Sequence, residues 1–193
     1  MAAYNEPFTR TQALFIDGVE VTATAAELNA MDGILATPAE MNRVADVSTR
    51  VVTLVADTAI VEATHEGKTL LLGEVDGNAA LAVTLPAATG SGAKYKFIVS
   101  VVNTSGYTIQ VTTTDIMQGN IATNSTGDNP DLLSVWPAAS DSDTIILDGT
   151  TTGGVSIGDF IECVDILDAT WAVYGVATAS GAEATPFSAA ISA

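Results

Sequence analysis

Lys94-Tyr95-Lys96-Phe97-Ile98-Val99-Ser100-Val101 is the stretch whose reading decides the fold. Tyr95, Phe97, Val99 and Val101 alternate with Lys96, Ile98 and Ser100, the period of two that sends successive side chains to opposite faces of a strand. Upstream, Leu81, Val83 and Leu85 share one face of Leu81–Pro86, and Pro86, which has no N–H to give a ladder, ends that strand or marks an edge. Val51–Val55, Thr58–Val61, Thr69–Gly73, Tyr107–Thr113, Thr144–Leu147, Asp159–Ile166 and Trp171–Val176 have the same β character. They are separated by turn residues: Ala56-Asp57, Glu66-Gly67-Lys68, Asp76-Gly77-Asn78, Asn103–Gly106 and Asp148-Gly149. Leu167–Thr170 is short enough to close a hairpin between the last two strands. Many short strands without a helical layer predict a mainly β protein, a β-sandwich or barrel. Residues 114–142 show no clear period and are rich in Gly, Asn and Asp; they are expected to be a functional loop or a mobile excursion.

Before residue 48 the pattern is different. Thr24-Ala25-Ala26-Glu27-Leu28-Asn29 is answered by Thr37-Pro38-Ala39-Glu40-Met41-Asn42. Each copy opens as Thr-x-x-Glu, the capping box in which the hydroxyl and the carboxylate satisfy each other's backbone N–H groups. Pro38 sits at the first helical position, where a missing N–H costs nothing. Two short helices joined by a turn at Asp32-Gly33 are expected. Leu28 and Met31, then Met41, Val44 and Ala45, fall at helical spacing. Helices this short are not stable alone in water, so they must lean on the downstream domain, a sister chain or a partner. Ahead of them, Leu14-Phe15-Ile16, Asp17-Gly18 and Val19–Thr22 read as a small hairpin within an extended arm. The organisation expected is an arm at 1–23, a short helical repeat at 24–47, a β domain at 48–178 and a loosely ordered Ala/Ser-rich tail at 179–193.

Six basic residues against twenty-three acidic ones give a net charge of −17, and no Lys or Arg follows Lys96. A surface of this sign repels phosphate backbones, so no nucleic-acid partner is expected. Solubility is the plainer explanation of the acidity. The apolar runs are far too short for a membrane span, and the opening residues lack a basic segment followed by an apolar one, so no secretory signal is expected. The chain should be made, and be soluble, in the cytoplasm.

Little in the sequence suggests catalysis. His65, the single histidine, sits in a turn and reads as a surface residue. Cys163, the single cysteine, lies in an apolar strand with nothing nearby to lower its pKa. Gly67-Lys68-Thr69 is a fragment of a phosphate loop without its preceding glycine. Asn124, Asp128, Asn129, Asp131, Asp141 and Asp143 could supply oxygens to calcium, but the EF-hand order is missing and the same residues make turns. No acid/base pair stands out for glycoside cleavage. No catalytic residue, metal site or cofactor is expected.

The two phrases at Thr24–Gly33 and Thr37–Asp46, together with Leu81–Phe97, Leu147–Gly154, Gly158-Asp159 and Trp171-Ala172-Val173, resemble segments of tailed-bacteriophage virion proteins: capsid decoration (cement) proteins, head fibres and some tail fibres. The resemblance implies a β-rich structural protein, commonly a homotrimer, on the outer surface of the capsid, with no catalytic residues. The expected function is to bind the major capsid protein lattice and stabilise the head. Leu14, Phe15, Ile16, Leu28, Met31, Met41 and Val44 are then the expected contacts to capsid or sister subunits, the alternative being packing on the chain's own β domain. A head- or tail-fibre adhesin, binding a host glycan through 114–142, is the second reading, and a glycan-active enzyme a distant third.

Overall fold

The computed structural model describes residues 14–30, 32, 34–45, 50–74, 80–112, 114–126 and 133–191. The chain divides into two compact units, residues 1–45 and 46–193.

In the first unit, β1 (Leu14–Ile16) and β2 (Val19–Val21) pair antiparallel. Asp17 and Gly18 both have positive φ, 48° and 79°, the backbone whose twist suits a two-residue hairpin and the reason an Asp-Gly pair stands there. Helices α1 (Ala25–Ala30) and α2 (Pro38–Ala45) follow where the repeated phrase places them. Of the turn between them, Asp32 donates its N–H to the Asn29 carbonyl at 3.2 Å; Gly33 and Met31 lie outside the described residues.

The second unit is the expected β-sandwich, two sheets rather than a closed barrel. Its elements are β3 (Val51–Leu54), β4 (Thr58–Ala59), α3 (Glu62–His65), β5 (Thr69–Leu72), β6 (Leu81–Thr84), β7 (Lys94–Val99) and β8 (Tyr107–Gln110). Then come β9 (Ile116–Ser125), β10 (Leu133–Pro137), β11 (Thr144–Leu147), β12 (Phe160–Leu167), β13 (Thr170–Ala179) and β14 (Phe187–Ser188). One sheet has seven strands in the order β10-β9-β13-β12-β7-β5-β3, the other five in the order β14-β11-β8-β6-β4.

From β3 to β8 the chain steps from one sheet to the other at every strand. β3, β5 and β7 are therefore parallel neighbours in the larger sheet, and β4, β6 and β8 in the smaller. The short links in this half are corners between sheets; the three residues Val55–Asp57 turn the chain from β3 into β4. Later strands close this coil antiparallel, β12 on β7 and β11 on β8. The hairpin expected at Leu167–Thr170 is present, with Ala169 at φ 56°.

Alternation decides the core. Tyr95, Phe97 and Val99 of β7, Leu81 and Val83 of β6, Tyr107 and Ile109 of β8, and Ile161 and Cys163 of β12 are buried between the sheets. The Tyr95 and Trp171 rings meet at 5.7 Å with planes tilted by 49°.

Two expectations need correction. Much of 114–142 is not a loop: it holds the ten-residue β9, paired along its length with β13, and the edge strand β10. Its period was hidden because the inward positions of β9 include Gly119, Thr123 and Ser125 alongside Met117 and Ile121. Gly119 must be glycine. Its φ is 143°, and a Cβ there would stand 1.9 Å from the Val173 carbonyl oxygen. The tail is not loose either: Phe187 is buried, and β14 pairs with β11.

Candidate functional site

Among its described residues the first unit is locally ordered but has no buried side chain. At both helix starts the capping box is complete. Thr24 and Thr37 donate their backbone N–H to the carboxylates of Glu27 and Glu40 at 2.7 Å. The Glu27 and Glu40 N–H groups return hydrogen bonds to the threonine hydroxyls at 3.2 and 3.3 Å. Thr24's N–H, then its hydroxyl, hold the Glu27 carboxyl below the ordinary range. These bonds fix where each helix begins, yet no residue of α1 is buried.

Among the expected contact residues, Ile16 and Leu28 are exposed and Met41 is half-buried. Leu14 and Phe15 lie on β1, and Val44 on α2; Met31 falls outside the described residues. The structure shows three further exposed apolar residues that sequence reasoning missed. Val19 is 70% exposed, and Ile34 and Leu35 follow the interhelix turn, Leu35 at 97% exposure. An apolar pair just ahead of a helix-capping threonine is the available signal for the last two.

In the second unit, acidic side chains are used as acceptors for backbone N–H groups at corners. Asp57 takes the Ala82 N–H at 2.8 Å, Glu74 the Thr104 N–H at 2.6 Å, and Asp115 the Ala88 N–H at 2.8 Å. Each of these bonds joins one turn of the coil to the next. Burial, then the nearby Glu74 charge, pushes the Tyr107 phenol up to about 12.

Asp165 is the fullest case. It accepts the N–H groups of Thr89 (3.0 Å), Gly90 (2.7 Å) and Ser91 (3.0 Å) and the Ser91 hydroxyl (2.7 Å). Burial pushes this carboxyl up, but the donors of Thr89, Ser91 and Gly90 outweigh it and hold it down at about 2. Asp148 is held low in the same way by the N–H groups of Thr152 and Thr150, against its own burial. At Asp159 burial wins and the carboxyl is raised, despite the Thr178, Ser156 and Gly154 donors. Acids engaged this way are poor candidates for cation ligands.

Nor does the calcium reading gain support. Asp143 accepts the Ile191 N–H and the Thr144 hydroxyl, and Asn124 accepts the Thr178 hydroxyl. Asp128, Asn129 and Asp131 lie outside the described residues. Among the described residues no group of three or more His, Cys, Asp and Glu could hold a metal.

His65 is half-buried at the end of α3, where the Val61 N–H donates to its Nδ1 at 2.9 Å. It serves the one-turn helix. Cys163 is buried, and burial followed by the Glu162 charge raises its thiol, so it is held as a thiol in the core. A shallow cavity of about 380 Å³ opens between the edge strands β10 and β14, lined by Trp136, Pro137, Asp141, Thr185 and Phe187 among others. No protein-family model, curated protein or solved structure matches the chain.

Proposed function

We propose that the chain is a bacteriophage capsid decoration protein, bound to the outer surface of the major capsid protein lattice and stabilising the head. The observation that carries this reading is the first unit: capped helices and a tight hairpin that present Ile16, Val19, Leu28, Ile34 and Leu35 to solvent. Local hydrogen bonds preorganise this segment, but its described residues bury almost nothing, which suits a connector that acquires its apolar contacts from another surface. The resemblance of its two Thr-x-x-Glu phrases to virion segments names that surface as the capsid. The net charge of −17 suits a position outside a DNA-filled shell. The second unit has its own core and serves as the outward body.

The test is binding to expanded capsids. The wild-type chain should occupy shells in near-lattice stoichiometry, and heads lacking it should release DNA at lower temperature. A protein that ignores shells but binds host cells overturns this reading in favour of a fibre adhesin. One feature favours that alternative: the cavity between β10 and β14 sets a half-buried Trp136 beside Asp141, an aromatic surface with a polar edge of the kind that sugars stack on.

A further inference from the structure

The outer face of the seven-stranded sheet is unusual for a chain this acidic. Following the strand register from edge to edge, Val135 stands beside Ala122, then Val176, Phe160, Ile98 and Leu71. Directly opposed residues in a ladder share a face, so these six form one apolar row across six adjacent strands. Val135 is 58% exposed and Val176 44%. In the neighbouring row Tyr174, 54% exposed, stands beside Glu162, which stands beside Lys96.

Charge distinguishes this face from the rest. Its seven strands offer two outward lysines, Lys94 and Lys96, against one outward acid, Glu162; their other acid, Asp165, is buried. Lys96, exposed, also lies over the Phe160 ring at 4.8 Å. The remainder of the chain carries the whole acidic excess, so two copies repel one another over most orientations. On this face the repulsion is absent, and each copy brings a lysine and a glutamate that can pair with the opposite charge across a contact. The outer face of the smaller sheet, with Thr84, Thr108 and Gln110 along it, has no comparable apolar row.

We propose that this face is where copies of the chain associate with one another, the occupant being the same face of a second copy. Seven strands about 4.8 Å apart, with four to ten residues each at about 3.3 Å per residue, make a face of about 30 by 20 Å. That is about 600 Å², close to the roughly 800 Å² that each partner contributes to a stable interface. The contact is argued from the sheet alone and does not depend on the capsid reading.

The test is the solution mass of the full-length chain by light scattering. The wild type is expected at a multiple of 19.7 kDa. Val176→Glu and Val135→Glu are each expected to weaken self-association at least tenfold, with an unchanged circular dichroism spectrum. Val102→Glu, at an exposed position in the loop between β7 and β8, should leave the mass as it is. If one glutamate variant fails to fold, the other still decides. A wild type that stays at 19.7 kDa at high micromolar concentration overturns the proposal, as do two folded glutamate variants with unchanged mass. A monomer that still decorates shells would refute this interface and leave the capsid reading standing; an oligomer through this face that passes shells by would do the reverse.

Discussion

The two units spend their polar groups in opposite ways. In residues 1–45 the threonines and glutamates of the capping boxes satisfy their own helix starts, and the apolar side chains between them face solvent. In residues 46–193 the carboxylates reach across the fold to backbone N–H groups of distant corners, and a core of apolar side chains is buried between the sheets. Bonds between residues three apart can order a segment without a core. Bonds spanning from 25 to 76 residues, such as Asp57 to Ala82 and Asp165 to Thr89, exist only when the whole sandwich has formed. The first unit is thus built to be completed by something else, and the second to stand by itself.

That contrast can be broken at several strengths. Gly119→Ala should have the largest effect, because a Cβ meets the Val173 carbonyl and the backbone is left-handed. A loss of about 3 kcal/mol or more is expected in denaturant unfolding, with the β9–β13 ladder the first to lose amide protection. Asp165→Asn should cost about 2 kcal/mol, since the three N–H donors of the 89–91 segment lose their charged acceptor.

The same substitution tests the pH dependence. Asp165 titrates lower in the folded state than in the unfolded, so its stabilisation is present above the unfolded carboxyl range and is lost as pH falls towards about 2. Asp159, raised in the folded state, works in the opposite sense: its protonation on acidification favours the folded form. Acid unfolding followed from pH 6 downward should become shallower in Asp165→Asn and steeper in Asp159→Asn.

Effects in the first unit should be smaller and local. Thr24→Ala and Thr37→Ala should each cost their helix about 1 kcal/mol, visible as lost helical chemical shifts with the unfolding midpoint of the β unit unmoved. Leu35→Asp should change stability by less than about 0.5 kcal/mol, because the side chain is almost wholly exposed, and yet abolish shell binding if this unit is the anchor. Equal loss of stability in both units from any one of these changes would dissolve the distinction between them.

What could be read from the sequence followed the range of the interactions. The hairpin at Asp17-Gly18 and both capping boxes were legible because every partner lies within seven residues. The alternation of Tyr95, Phe97 and Val99 gave the sandwich for the same reason. The parallel coil was hidden, since a three-residue corner between sheets reads like a hairpin turn until the register is known. β9 escaped notice because glycine, threonine and serine occupy inward positions beside β13, and β14 because Phe187 is a single apolar anchor in a run of small residues. The carboxylate acceptors were visible only as charge. Nothing local distinguishes Asp165, which clasps a loop, from Asp168 nearby.

The most direct test of the account removes residues 1–47 and asks what remains. The account predicts an unchanged β circular dichroism signature and unfolding midpoint, with binding to expanded capsids lost. A truncated chain that still decorates shells at lattice stoichiometry, or one that no longer folds, would contradict it.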